Sequence, residues 1–173
     1  SAISDLKANV VSLVPTVLKR MVDQKIESPA FLKTVFLGGG PIPNEIIHNS
    51  KKFGWKVKIV YGSTETSSMV TMINDNEILE RVNSVGKPVG SNAIIIKDKN
   101  NVELEANKIG KVCVKSKAVM KGYLDNPNIH IQNELYCSED IGYVDDQGYL
   151  FIVGRIDDVI ISGGENINCR QID

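Results

Sequence analysis

The sequence predicts an α/β fold followed by a β-rich part: part of a doubly wound parallel sheet subdomain plus a small antiparallel β-barrel-like subdomain. In the first half, strand-like and helix-like segments alternate across short turns, which is typical of parallel α/β proteins. In the second half, short alternating segments follow one another at hairpin spacing. The character of the sequence changes near residues 78–88, where we expect the boundary between the two parts.

Each segment of the first half carries a local signal for its secondary structure. Residues 9–14 form a β-branched run, and Pro15 then opens a stretch with apolar residues at helical spacing. Residues 33–40 predict a second strand that ends in three glycines, and residues 44–54 predict a second helix that glycine stops. KVKIVY, at residues 56–61, predicts the third strand.

The second half contains strand and turn signals without an intervening helix. Residues 92–104 predict two strands around a polar turn, and residues 110–116 alternate like a half-exposed strand. Residues 141–155 predict a hairpin whose turn is formed by Asp-Asp-Gln-Gly at 145–148. Hairpins in this order predict a small barrel or a curled antiparallel sheet.

Composition excludes several classes of protein. The chain has 173 residues, 42% hydrophobic and 24% charged, which is average for a globular protein. A net charge of −1 gives no basic surface for nucleic acid, and no apolar run is long enough for a membrane span. Cys113, Cys137 and Cys169 are far apart and odd in number, so we expect neither zinc nor disulfides and a reducing, cytoplasmic setting. His48 and His130 are expected to be surface residues.

Both ends of the chain stop abruptly. The first strand has no preceding βα unit, and the last residues end as though another element should follow. We therefore expect a fragment of a larger protein. Open strand edges in such a fragment would pair with another chain, so we also expect a homo-oligomer or aggregation.

Three glycine-containing clusters carry candidate chemistry: FLGGGPIP at residues 36–43, YGSTETSS at 61–68 and GRIDDVIISGGENI at 154–167. The first could let a ligand approach the backbone, or it could be a tight turn between a strand and a helix. In the second, Thr64 could donate to a phosphate and Glu65 could hold Mg²⁺, or the two could be a capping pair. The third, taken alone, could be a structural ion-pair turn.

Together and in this order, the three clusters resemble the core motifs of the adenylate-forming superfamily, which includes acyl-CoA and aryl-CoA synthetases, amino-acid adenylation domains and luciferases. YGSTE resembles that family's Tyr-Gly-x-Thr-Glu signature, and residues 138–167 resemble the stretch that leads into its hinge. KGYLDNP, at 121–127, resembles a segment that the family often carries before that stretch. Within the superfamily, VGKPV, LGGGPIP and VIISGGENI are most similar to the o-succinylbenzoate–CoA ligases of menaquinone biosynthesis.

The resemblance implies roles for individual residues. A nucleotide would be bound by Gly39, Gly40, Pro41, Tyr61, Gly62, Thr64, Asp140 and Arg155. Tyr61 and the glycine-rich loop would enclose the adenine, Asp140 and Arg155 would contact the ribose, and Thr64 would contact the phosphates. Glu65 would coordinate Mg²⁺, and Thr64 and Glu65 together would be the catalytic residues of this chain.

The resemblance also divides the chain into three parts. Residues 1–80 would be the C-terminal part of an α/β AMP-binding subdomain, residues 81–154 the β-rich subdomain, and residues 155–173 the hinge and the start of a truncated domain. Asp157 would be the hinge residue. Gly163, Gly164 and Glu165 would lie near the path by which coenzyme A approaches.

The implied function is an ATP- and Mg²⁺-dependent carboxylate–CoA ligase that forms an acyl-adenylate and then a CoA thioester, with o-succinylbenzoate as the expected acid. The phosphate loop and the C-terminal lysine of the family would lie outside this chain, so the chain alone is expected to be inactive. Alternatives are another aryl- or fatty acyl-CoA synthetase, an amino-acid adenylation domain, or a non-catalytic nucleotide-binding module.

The chain departs from the family pattern at several positions, among them the two residues before Asp140. Ser138-Glu139-Asp140 stands where the family usually has Thr-Gly-Asp, and Lys111 stands where it usually has Glu. Glu139 adds a negative charge beside Asp140, which bears directly on nucleotide affinity.

Overall fold

The computed structural model describes residues 2–124, 131, 133–156, 159–162 and 165–168, the last two stretches as backbone only. Its first half contains three helices and four strands in alternation. In chain order these are α1 Ala2–Asp5, β1 Val10–Leu13, α2 Pro15–Asp23, β2 Thr34–Leu37, α3 Asn44–Lys52, β3 Val57–Gly62, and β4 Met69–Ile73, with a 3₁₀ turn at Thr64–Thr66 between the last two strands. The alternation of strand and helix predicted for this half is confirmed.

Among the described residues of the second half, the named elements are all strands. They are β5 Ser84–Pro88, β6 Ala93–Lys97, β7 Gly110–Lys115, β8 Leu135–Val144, β9 Leu150–Arg155, β10 Val159–Ser162 and β11 Glu165–Asn168. The last two form a separate antiparallel hairpin. A strand was predicted around Val102, but that residue lies outside the named strands, in a turn held by the Asp98 carboxylate.

Nine strands form one mixed sheet in the order β1-β2-β3-β4-β5-β9-β8-β7-β6. The pairs β1–β2 and β2–β3 are parallel, and every later pair is antiparallel. The predicted fold class, parallel α/β followed by antiparallel β, is confirmed. The barrel-like part remains open, because β1 and β6 are the two edges of the described sheet. Pairing of an open edge with a second chain stays a prediction.

The main core lies where α2 and α3 cover the parallel strands. Leu18 of α2 and Ile47 of α3 are fully buried against Val35 and Leu37 of β2. Both helices begin at positions that proline favours: Pro15 is the first residue of α2, and Pro43 precedes α3. This packing fixes the direction of β2 and β3, and therefore the edge of the sheet at which their carboxyl ends emerge.

A cluster around Tyr149 joins the loop before β5 to the hairpin between β8 and β9. The Tyr149 hydroxyl donates to Glu77 Oε1 at 2.6 Å, and the cations of Arg81 and Lys87 lie over its ring, 4.8 and 4.4 Å from the centroid. Arg81 also pairs with Asp145 at 3.6 Å. These contacts connect the two halves of the chain beside the sheet, because their partners are about 60 to 70 residues apart in sequence.

The expectation that no disulfide forms was wrong. Cys113 of β7 and Cys137 of β8 are joined as a cross-strand disulfide. The reason is register: the two residues face each other directly in the antiparallel pair, where opposite side chains are closest. A separation of 24 residues in sequence gave no sign of that pairing. Among the described helices, none combines the length and the hydropathy that a membrane crossing requires.

We predict that Gly62→Ala destabilises the fold. A Cβ at Gly62 would overlap the Ser68 carbonyl oxygen and lie 2.9 Å from Met69 Cα, so the backbone at the start of β4 would have to move. The expected cost is about 1–3 kcal/mol in the free energy of unfolding. Gly40→Ala is the matched control, because a Cβ there has no atom within 4 Å. Chemical denaturation of both variants is the measurement; equal stability of the two would contradict the prediction.

The Tyr149–Glu77 hydrogen bond predicts a pH-dependent stability. It lowers the pKa of Glu77 and raises the pKa of Tyr149. Its contribution is therefore fully present between their ordinary values, 4.5 and 10.0. It is lost as the pH falls through the folded-state pKa of Glu77 or rises through that of Tyr149. Tyr149→Phe should lower Tm by about 2–4 °C at neutral pH and by less in acid; a difference independent of pH would contradict this.

Candidate functional site

A cavity of about 590 Å³ opens where β2 and β3 end. Open α/β sheets bind ligands at this edge, since the carboxyl ends of parallel strands leave a crevice there. The residues predicted to bind a nucleotide that line this cavity are Gly39, Gly40, Pro41, Tyr61, Gly62, Asp140 and Arg155. They come from the loop after β2, the end of β3, and the neighbouring strands β8 and β9. The fold thus brings together residues that are as much as 116 positions apart.

The three glycines of the loop after β2 differ in whether the local backbone requires them. A Cβ at Gly38 would lie 2.7 Å from the Val60 carbonyl oxygen, and Gly39 has a φ of +82°, which favours glycine. These two positions are explained by the turn alone. Gly40 has neither constraint: it lines the cavity, and a Cβ there would meet nothing within 4 Å. Its bare backbone leaves room for a ligand to approach.

Asp140 is the carboxylate among the residues that line the cavity. The Tyr61 hydroxyl donates to Asp140 Oδ2 at 2.6 Å, and Arg155 Nη1 lies 3.5 Å from Oδ1. Arg155 is the direct neighbour of Asp140 across the β8–β9 pair. The Asp140 side chain lines the cavity and is only 16% exposed. Because Tyr61 and Arg155 contact different oxygens of its carboxylate, its orientation is fixed.

Tyr61 is largely buried beside that carboxylate. Burial and the hydrogen bond to Asp140 both raise the pKa of Tyr61, so its hydroxyl stays protonated at neutral pH and acts as a donor. Its oxygen also lies 3.5 Å from Ser138 Oγ. The resemblance implied that Tyr61 contacts the adenine, which stays a prediction; the structure shows a hydrogen bond from Tyr61 to Asp140 that no motif indicated.

The loop from Ser63 to Ser68 is braced from within. The Thr66 hydroxyl accepts a hydrogen bond from the Ser63 backbone at 2.9 Å and lies 2.9 Å from the Ser68 carbonyl oxygen, while its residue is only 2% exposed. The capping pair in this loop is formed by Ser63 and Thr66, not by Thr64 and Glu65 as the sequence allowed. Thr64 and Glu65 follow directly after Ser63, which lines the cavity, and neither belongs to this capping pair.

Glu65 is the candidate metal ligand, and it has an unpredicted partner. The Tyr123 hydroxyl donates to Glu65 Oε1 at 2.6 Å. This hydrogen bond, with a further one from Ser63, lowers the pKa of Glu65, so the carboxylate is ionised at neutral pH. No group of three or more acidic, histidine or cysteine ligands occurs in the described part of the chain. One carboxylate with a neighbouring threonine hydroxyl fits Mg²⁺, which commonly takes few protein ligands and completes its shell with phosphate and water.

Two of the departures from the family pattern meet in the structure. Lys111 Nζ lies 3.2 Å from Glu139 Oε1, so the added cation neutralises the added anion. Glu139 does not line the cavity, whereas its neighbour Asp140 does, as expected for consecutive residues of a strand. The extra carboxylate is therefore paired away from the candidate ribose position.

Thr64 and Glu65 are not among the residues that line the cavity, and the sequence analysis assigned no role to some residues that do line it. Asp157, Gly163 and Gly164 lie outside the described residues; Glu165 begins β11, where the backbone alone is described. Ser84 of β5 lines the cavity although no sequence signal marked it, and Val85, the first residue of the VGKPV motif, lines it although it was given no role. The pairing of β5 with β9 that places them there spans more than 60 residues. Tyr123 belongs to the KGYLDNP segment that the sequence did single out, but without a role.

Known proteins resemble this chain along nearly its whole length. The family model of the AMP-binding enzymes matches residues 1–124. A 2-succinylbenzoate–CoA ligase from Bacillus licheniformis is 35% identical over 175 residues, which covers 99% of this chain and 36% of that enzyme. The chain thus spans about a third of the length of the curated relatives that it matches.

Solved structures show the same relationship. O-succinylbenzoate coenzyme A synthetase (MenE) from Bacillus subtilis, in complex with ATP and magnesium ion, superposes with a TM-score of 0.90 at 31% identity, covering 99% of this chain and 36% of that one. The same enzyme in complex with the acyl-adenylate intermediate OSB-AMP gives the same TM-score, identity and coverage. With the family model matching most of its residues, this chain belongs to the AMP-binding enzyme family.

Proposed function

We propose that this chain is part of an ATP-dependent carboxylate–CoA ligase whose acid substrate is o-succinylbenzoate, in menaquinone biosynthesis. The observation that carries the proposal is the cavity at the ends of β2 and β3, where Asp140, Tyr61, Arg155 and the loop containing Gly40 meet. Identity of 35% to a 2-succinylbenzoate–CoA ligase along nearly the whole chain supports this acid over other carboxylates.

In this proposal the cavity binds the adenosine part of ATP. The Asp140 carboxylate accepts hydrogen bonds from the ribose hydroxyls, and Tyr61 and Arg155 hold it in position for them. Gly40 and Pro41 form one wall for the adenine, and Gly39 and Gly62, which have no side chain, leave space beside it. Binding these remote parts of ATP orients the α-phosphate toward the acid.

Thr64 and Glu65 act at the phosphates, just beyond the cavity. Thr64 donates to a phosphate oxygen, and Glu65 holds Mg²⁺, which shields the charge that builds up between the acid and the triphosphate. A carboxylate oxygen of the acid attacks the α-phosphorus and pyrophosphate leaves, which gives the acyl-adenylate. The sulfur of coenzyme A then attacks the acyl carbon, AMP leaves with the C–O electron pair, and the thiol proton passes to solvent.

We propose the remaining assignments on the same basis. The chain divides at about residues 80 and 155; in support, pairing between the two halves of the described sheet passes through β5. Asp157 acts as the hinge, and Gly163, Gly164 and Glu165 lie near the path of coenzyme A. ATP, Mg²⁺ and coenzyme A are cytoplasmic metabolites, which is the basis for proposing the cytoplasm as the site of action.

We predict that Asp140→Asn weakens ATP binding about tenfold or more, because a charge-assisted acceptor for the ribose is lost. Glu139→Gln is the matched control one residue away. Its carboxylate pairs with Lys111 outside the cavity, so its loss should change the affinity by less than about twofold. Calorimetric titration of the full gene product with ATP measures both. Equal losses in the two variants would show that Asp140 has no special contact.

A thioester assay of the full gene product tests the proposed substrate. The acids compared are o-succinylbenzoate, benzoate, octanoate and a mixture of amino acids, each with ATP, Mg²⁺ and coenzyme A. We expect o-succinylbenzoate to give a kcat/KM at least about a hundredfold above the others. Preference for another acid would retain the reaction and reject the substrate, and the absence of both adenylate and thioester would reject the ligase in favour of a nucleotide-binding module.

A further inference from the structure

Two loops that are far apart in sequence are fastened together at the candidate metal ligand. The first, the Glu65 loop, comprises residues 63–68; the second, the Tyr123 segment, comprises residues 116–124 and follows β7. The Met120 backbone N–H donates to the Glu65 carbonyl oxygen at 2.8 Å, and the Ser67 hydroxyl donates to the Ala118 carbonyl oxygen at 2.6 Å. A backbone contact at Glu65 and a side-chain contact at Ser67 therefore fasten the Glu65 loop to the Tyr123 segment.

The third contact reaches the carboxylate itself. Tyr123 donates its hydroxyl proton to Glu65 Oε1 at 2.6 Å, a short distance that is typical of an O–H···O⁻ hydrogen bond. A glutamate side chain has several rotatable bonds, and one that is free must lose that freedom when a metal binds. A tyrosine hydroxyl that already holds one carboxylate oxygen removes much of this loss in advance.

We propose that Tyr123 is a positioning residue that orients the Glu65 carboxylate for Mg²⁺. The inference rests on the proposed function, in which Glu65 holds that ion. Tyr123 does not touch ATP or the acid in this role: it acts through Glu65, as outer partners of metal ligands do in many metal sites. The backbone contact from Met120 sets the position of Glu65, and the Tyr123 hydroxyl sets its rotation.

The Tyr123 segment is anchored well enough for this role. Ser116 donates its backbone N–H to the Glu134 carbonyl oxygen at 2.9 Å, beside the start of β8, and the Ser116 hydroxyl accepts from the Ala118 backbone at 3.0 Å. Tyr123 itself is 42% exposed. A Tyr123→Phe change removes the hydroxyl and keeps the ring, so its effect reports the contact with Glu65 rather than the packing of the ring.

The test separates positioning from a structural brace by measuring how much Mg²⁺ tightens nucleotide binding. The probe is an ATP analogue with a methylene bridge between the α- and β-phosphorus atoms, titrated calorimetrically into the full gene product with Mg²⁺ or with EDTA. In Tyr123→Phe, we expect the Mg²⁺-dependent gain in affinity to fall about tenfold, while affinity in EDTA stays within about twofold of wild type. Tyr143→Phe, which loses a hydroxyl from a ring stacked on Phe151, should leave both unchanged.

A double variant tests whether the effect passes through Glu65. Glu65→Gln should remove the Mg²⁺-dependent gain, and adding Tyr123→Phe to it should cause no further loss. A Tyr123→Phe variant that keeps the full gain overturns the inference and leaves the proposed function intact, even if its Tm falls. A wild-type protein that gains no affinity from Mg²⁺, with Glu65→Gln unchanged from it, overturns both.

Discussion

The hydrogen bond from Tyr61 to Asp140 connects the two halves of the molecule at the point where the site forms. Tyr61 ends the parallel part of the sheet, whereas Asp140 lies in the antiparallel part, 79 residues later. The contact exists only if both halves fold onto one continuous sheet, in which β4, β5 and β9 lie between β3 and β8 in the correct register. The geometry of the cavity therefore depends on the stability of that sheet, because the Asp140 carboxylate is oriented by Tyr61 from the first half and Arg155 from the second.

The elements that could be predicted from sequence are those with local signals. The strand at 34–37, the helix that begins at Pro15, and the loop of three glycines follow from residue type and spacing within about ten positions. The family motifs added the identity of Tyr61, Glu65 and Asp140, since their order along the chain is itself a signal. Tyr61 and Asp140 line one cavity, and Glu65 follows two residues after Ser63, which also lines it.

What sequence reasoning missed depends on register between distant strands. The pairing of Lys111 with Glu139 and the disulfide between Cys113 and Cys137 both follow from the way in which β7 and β8 align. A shift of one residue would separate both pairs, and nothing local fixes that alignment. The role of Tyr123 was missed for a related reason: its partner Glu65 lies 58 residues earlier, in the other half of the chain.

The Cys113–Cys137 disulfide closes residues 113–137, which include the segment between β7 and β8, into a covalent ring. That segment includes Tyr123 and the contacts that hold the Glu65 loop. A single cut of the backbone inside the ring would leave one molecule rather than two, with β7 and β8 still bonded to each other. A cut of the backbone there therefore does not release the C-terminal strands by itself. They are held covalently until the disulfide is also reduced.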